Sequence, residues 1–240
     1  MARRLDAALE LLDRQLIDSE GRLAGKVDDL ELTDPGDSLE QPLVTAILTG
    51  PAALAGRLHT PVGRRLAQVA ARLLAPGHDH PFRVPLDQVQ AVDSAVRLRV
   101  AADQLHTGAG ERLSELLGAE VVDGHGHSVG KVHDVRLVQA RPEPEGLGPG
   151  LRVEGLLVGR RALGARFGFD RGGVRGPLLL KLVFGSLGHD GRYVPWDRIG
   201  SIRDGQIRIT GTGDDLPRPE PLGEVPLHRE PTGGSWRVRR

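Results

Sequence analysis

Short runs that alternate apolar and polar residues, each closed by a glycine-containing turn, recur along this chain and predict β-strands. "QLI" at 15–17 and "EVV" at 120–122 each lead into Asp-x-x-Gly, a hairpin connection in which Gly21 or Gly126 supplies a positive φ. The strands that follow break the period of two. Leu30 and Leu32 share a face that Val27 does not, and Val135 and Leu137 stand out of phase with Val132. A β-bulge at Asp28-Asp29 and His133-Asp134 restores one apolar face. Asp29 and Asp134 then accept bonds from the backbone N–H groups that the bulge frees. This is preferred to a functional carboxylate, because each stretch supplies only one acid.

The two stretches are copies of one another. "LIDSEGRLAGKVDDLEL" (16–32) matches "VVDGHGHSVGKVHDVRL" (121–137), pairing Asp18 with Asp123, Gly25 with Gly130, Lys26 with Lys131 and Asp29 with Asp134, each 105 positions apart. Leu11-Leu12 falls on Leu116-Leu117 at the same offset. Further on, "AILTGPAALAGRL" matches "GLLVGRRALGARF", and "RVPLDQV" matches "YVPWDRI". The order of matched segments is kept, and the period is too long for a solenoid, so a whole domain is duplicated.

Each copy also leaves the strand pattern once. Leu66, Val69, Ala70, Leu73 and Leu74 fall on one helical face, and Pro177 opens "PLLLKLVFGSL", apolar nearly all round. Pro85 and Pro195 cannot donate to a ladder and predict a strand edge or a turn. Two short closing strands, 95–100 and 206–210, end the copies. The expected fold is mainly β: two tandem small β-barrels, each with a short helical insertion, at 11–105 and 112–212. A linker at 106–111 joins them, and a Pro- and charge-rich tail at 213–240 is expected to be disordered.

Composition narrows the function classes. The 240 residues carry 32 basic and 32 acidic side chains, so no overall field draws the chain to nucleic acid or anionic lipid. Cysteine is absent, which removes disulfides, thiolate metal sites and cysteine nucleophiles and agrees with a reducing cytoplasm. Aromatics are only 3%, so the core is aliphatic. Lys26, Lys131 and Lys181 are the lysines; the arginine excess, with much Ala, Gly and Pro, reads as a GC-rich bacterial genome. No apolar run approaches the roughly 20 residues of a membrane span. A soluble, cytoplasmic protein is expected.

The repeated residues resemble the PRC-barrel family, named for the cytoplasmic domain of the photosynthetic reaction centre H subunit and found also at the C-terminal end of a ribosome maturation factor. The family pattern is Asp-x-x-Gly, then Gly-Lys-Val-x-Asp, then a Val-Pro-Trp-Asp turn. The second copy shows all of it, in Asp123, Gly126, Gly130-Lys131-Val132, Asp134 and Val194-Pro195-Trp196-Asp197; the first departs only in Leu86 for the tryptophan. The resemblance implies small barrels used for docking and assembly, and no shared catalytic residues.

Candidate chemistry is sparse. His125 and His127 with Asp123, His133, and His78-Asp79-His80 have metal-ligand residue types. The first copy, however, has Glu20, Arg22 and Asp28 where the second has His125, His127 and His133, so metal is not the shared purpose. Ser128 near two histidines lacks an orienting group, and no phosphate-binding glycine loop is present. No cofactor and no enzyme activity are expected. Arg160-Arg161, Arg166, Arg171 and Arg175 form a basic cluster suited to phosphate, making RNA or ribosome-assembly binding the alternative, with a metal-binding barrel behind it. The favoured reading is a non-catalytic docking or scaffold protein that binds a protein partner or itself. Candidate contacts are Leu178, Leu182 and Phe184 on the apolar helix, with Arg171, Arg175 and Trp196. Peripheral membrane contact ranks lower, since Lys181 alone makes a poor polar face.

Overall fold

Glu120–Val122 (β11) turns back at Asp123–Gly126 into Ser128–Gln139 (β12), and this hairpin seeds a seven-stranded sheet. The computed structural model describes residues 2–56, 80–108, 110–139, 146–147, 150–160, 191–220 and 222. The fold is mainly β with curled sheets. Both predicted helical insertions, 63–75 and 176–187, lie outside the described residues.

The second repeat runs β11, β12, Leu151–Gly159 (β13), Arg192–Pro195 (β14), Ile199–Arg203 (β15) and Gln206–Ile209 (β16), in the order β14-β13-β12-β11-β16-β15. The first repeats this order in two smaller sheets. Gln15–Ile17 (β2), Leu23–Lys26 (β3), Val89–Val92 (β7) and Val96–Leu98 (β8) form one. Asp29–Leu32 (β4), Val44–Thr49 (β5) and Phe82–Pro85 (β6) form the centre of the other. The strand β12 corresponds to β3 and β4 run together. In each repeat the first strand pairs in parallel with the last, Leu16 beside Val96 and Val121 beside Ile207. In each, the proline of Val-Pro ends a strand and a 3-10 turn follows, at Leu86–Gln88 and Trp196–Arg198.

The phase break in the strands has the expected cause. The β12–β13 ladder shifts register between Val132 and Asp134, and the first repeat breaks its strand between Lys26 and Asp29. Val27, Leu30, Val132, Val135 and Leu137 are all buried as a result. Gly25 and Gly130 stand just before the break at φ 126° and 145°. A β-carbon on Gly130 would lie 2.5 Å from the Gly159 carbonyl oxygen, so the close crossing of β12 over the end of β13 requires glycine.

Two expectations need correction. The supposed linker holds strands His106–Thr107 (β9) and Glu111–Arg112 (β10), which add to opposite edges of the first repeat's sheet in the order β10-β4-β5-β6-β9. Four residue steps, at most about 14 Å, join those edges. A flat five-stranded sheet would hold them about 19 Å apart. The sheet therefore curls, bringing its edges closer than a flat sheet would, and it stays open. The start of the tail is also ordered. Gly213–Asp215 forms a 3-10 turn, Leu216 is buried, and the Tyr193 N–H donates to the Pro217 carbonyl at 2.8 Å. It copies Ala102–Gln104, Leu105 and β9 of the first repeat. The sequence signal was Ala-Asp-Gln-Leu at 102–105 against Gly-Asp-Asp-Leu at 213–216. Residues 221 and 223–240 lie outside the described residues.

One hydrophobic cluster runs through both repeats, from Leu5 and Leu16 to Val194 and Ile209. The repeats therefore share a core, where separate tandem domains were expected.

Candidate functional site

The shared core is closed by two exchanged arms. Arg3–Asp6 (β1) and Ala7–Glu10 (α1) precede the first repeat, yet β1 pairs with β12 of the second, Asp6 opposite Arg136. The strand β10 and Leu113–Leu116 (α3) precede the second repeat, yet β10 pairs with β4 of the first, Arg112 opposite Glu31. Pro51–Gly56 (α2) follows β5 at the edge of this region.

Asp29 and Asp134 anchor these arms. The Ala8 and Leu9 N–H groups donate to Asp134 at 2.7 and 3.2 Å, and the Val135 N–H donates at 2.7 Å. The Ser114 N–H and hydroxyl donate to Asp29 at 3.0 and 2.5 Å, and the Leu30 N–H at 2.9 Å. Each bulge aspartate thus binds the amide of the residue that follows it and also the first turn of the other repeat's leading helix, whose N–H groups lack helical partners. Burial raises both carboxyls, and Asp134, beside Asp6, reaches about 7. Each holds a different arm, Asp29 that of the second repeat and Asp134 that of the first.

A second layer of charge lies beside the anchors. Arg136 binds Asp6 through Nε and a terminal nitrogen at 2.8 and 3.0 Å, with its guanidinium 5.5 Å from the Tyr193 ring centre. Arg4 binds Glu154 at 2.7 Å. In the first repeat Arg83 and Thr45 bind Glu31, at 2.8 and 2.5 Å. A β-carbon on Gly108 or Gly110 would lie 2.9 Å from Arg83 or Glu31, so these two glycines lie against the pair.

The hairpin ends repeat a different device. Asp18 accepts the Glu20 and Arg22 N–H groups at 2.9 and 2.8 Å and the Ala102 N–H at 3.3 Å. Asp123 accepts those of His125 and His127 at 2.9 and 2.8 Å. Desolvation opposes their ionisation, but these bonds hold both carboxyls below the ordinary range. The aspartate of Asp-x-x-Gly therefore pins a loop between strands. His125 and His127 sit at that tip with ring centres 6.1 Å apart. His133 is instead half-buried on the bulge, its Nε2 3.1 Å from the Gly159 carbonyl oxygen, and burial lowers its pKa. Asp28, its counterpart, accepts the Gly50 N–H at 2.7 Å. Among the described residues no three His, Asp or Glu side chains are grouped to hold a metal.

Of the candidate contact residues, only Trp196 lies among the described residues. It is 3% exposed, and its indole N–H donates to the Leu39 carbonyl at 2.8 Å. Leu39, in the first repeat, is held at φ 51°, a left-handed backbone uncommon for leucine. Trp196 is thus a joint between repeats and does not offer its ring to a partner. Leu178, Leu182, Phe184, Arg171 and Arg175 lie outside the described residues, as do His78 and Asp79. Lys131 and Arg160 share a cleft of about 370 Å³ with Glu120, Ser128 and Gly130. Sequence reasoning missed Asp6, Arg136, Glu31, Arg83 and Ser114. The match of Leu11-Leu12 with Leu116-Leu117 showed the repeat beginning before its first strand, but periodicity carries no sign of exchange.

No protein-family model matches the chain, and no curated protein matches it. Among the described residues no helix is long and apolar enough to cross a membrane.

Proposed function

We propose that this chain is a non-catalytic docking protein made of two PRC-barrel-like modules that present equivalent surfaces to a protein partner. The reciprocal arms carry this reading. Each module supplies the element that completes the other, so the pair forms one body with a two-fold-like internal relation. Such a body holds its two hairpin ends at fixed separation, which favours a bivalent or pseudo-symmetric partner through effective concentration. The ends share a backbone device but differ in what they display: Glu20, Arg22 and Leu23, which is 65% exposed, against His125, His127 and Ser128. The repeated aspartates of the hairpin and the bulge, Asp18 with Asp123 and Asp29 with Asp134, are committed to backbone bonds. The curl of the first sheet suits a barrel module, and the cytoplasm suits the cysteine-free composition.

Affinity capture from the native host tests the proposal, comparing wild type with Leu23→Asp, with His125→Asp/His127→Asp and with Leu178→Asp/Leu182→Asp. Loss of the same partner in one or more folded variants is expected. Unchanged recovery in all three removes these surfaces as docking sites, and turnover of a defined substrate by pure protein ends the reading.

RNA binding is the second reading, favoured by the cleft that Lys131 and Arg160 share. Binding to single-stranded RNA that falls steeply with salt and weakens in Lys131→Gln/Arg160→Gln would support it; salt-insensitive or absent binding rejects it.

A further inference from the structure

The exchanged arms pose a problem of choice. Because the repeats share strand order and aspartate anchors, the first repeat of one chain has the geometry to receive the arm of a first repeat from a second copy. The second repeat has the same option. Such like-with-like pairing would link chains together. Asp29 and Asp134 do not discriminate, since each binds backbone N–H groups that any arm carries. The charges beside them do.

The arm of the first repeat carries Asp6, and its place on the second repeat lies opposite Arg136, which binds it through two hydrogen bonds. The arm of the second repeat carries Arg112, and its place on the first repeat lies opposite Glu31. The Arg112 guanidinium donates to the Ala52 carbonyl at 3.0 Å and its charge is felt at Asp29, while Arg83 and Thr45 bind Glu31. The two arms therefore have opposite signs at the same step of the ladder, and so do their receiving strands. Like-with-like pairing would set Asp6 against Glu31, where Arg83 is already engaged by Glu31. It would set Arg112 against Arg136. Asp6, Asp29, Glu31 and Arg136 are buried, so water would screen neither clash well.

We propose that this reversal of charge is a pairing code. It lets each repeat accept only an arm of the opposite kind, so the chain closes on itself and rejects like-with-like association with a second copy. Discrimination here comes from the repulsion built against the wrong pair as much as from attraction in the right one.

Light scattering coupled to size exclusion tests the code on the full chain. Wild type is expected at single-chain mass across micromolar concentrations. Asp6→Arg/Arg112→Asp reverses both arms, which now repel their present sites and fit the like repeat; a doubled mass is expected. Asp6→Arg/Arg136→Asp keeps one unlike pair attractive with its signs exchanged, and the tether favours closure, so a folded single chain is expected. A self-associating wild type overturns the proposal, as does an Asp6→Arg/Arg112→Asp chain of single mass with an unchanged unfolding midpoint. If that variant instead unfolds, the proposal stands only if Asp6→Arg/Arg136→Asp folds, and it falls if both unfold.

Discussion

Asp29 and Asp134 occupy the same place in the two repeats, and each holds the first turn of the helix that leads into the other repeat. The residue that bends the strand is therefore also the residue that joins the repeats, which ties stability to its protonation. Asp134 moves from an ordinary 3.8 to about 7 because burial penalises its charge. Between those values the native state keeps a proton that the unfolded chain releases. The stabilisation is complete below about pH 4 and is lost as pH rises through 7. Its size is on the order of 4 kcal/mol. Asp29 is raised in the same direction. Denaturant unfolding is expected to show stability falling from pH 5 to pH 8, with much of that slope gone in Asp134→Asn. At pH 5 the variant should lose only about 1 kcal/mol, the worth of its Leu9 bond. An unchanged slope in Asp134→Asn would show that the carboxyl does not titrate there.

Three glycine substitutions separate backbone crowding from backbone strain. Gly126 has a positive φ and open space around it, so Gly126→Ala should cost about 1–2 kcal/mol. Gly25→Ala would add a contact at 2.5 Å with the Thr49 hydroxyl oxygen, which a side-chain rotation relieves. Gly130→Ala would meet the backbone of Gly159 and Arg160, which cannot rotate away. Its cost should be the largest, roughly 2–4 kcal/mol. Urea midpoints of the three variants check the order, and equal costs would remove the close crossing as the reason for glycine at 130.

Trp196→Phe keeps an aromatic ring but leaves the Leu39 carbonyl without its donor. A loss of about 1–3 kcal/mol is expected, in one cooperative transition, because the joint lies inside a shared core. Leu86 occupies the matching place in the first repeat and is buried without any such bond to make, so Leu86→Met should cost less than about 1.5 kcal/mol. Two separated transitions in Trp196→Phe would mean the repeats fold independently.

The alternation of the chain gave away the strands, the hairpin turns and the bulge, because each is a local response of the backbone to where apolar side chains must point. The duplication was legible for the same reason: Asp18, Gly25 and Asp29 each solve a local geometric problem that returns 105 positions later. Exchange of the arms was not legible. Ala8 and Leu9 bind Asp134 through backbone N–H groups, which are the same in every residue, and the partner sits 125 or more positions away. Trp196 misled as a docking candidate because an indole suits an interface between proteins and an interface between repeats equally well. The charge reversal was not legible either: the 105-residue offset sets Asp6 on Glu111, and Asp6 and Arg112 stand at the same step only in the ladders of β1 and β10.

The equivalence of the repeats predicts where the chain can be reconnected. In the first repeat, Thr107 on one edge strand and Glu111 on the other are separated by three residues in the chain, and Gly108 and Gly110 lie against Arg83 and Glu31. In the second repeat the matching edge elements are the segment at Pro217 and strand β1, whose Arg4 is held charged chiefly by Glu154 and also feels the charge of Glu220. The same short connection is thus covalent in one repeat and absent in the other. A circular permutant that joins Glu220 to Arg3 through a short glycine linker, and opens between Gly108 and Gly110, should keep the fold, since no ladder residue is removed. Its far-UV circular dichroism should match that of the parent. Its unfolding midpoint should stay close, because a loop closed at one end replaces a loop of similar length at the other. A permutant that fails to fold, when the parent lacking only residues 221–240 folds, would show that the two edges of the second repeat are not neighbours in solution.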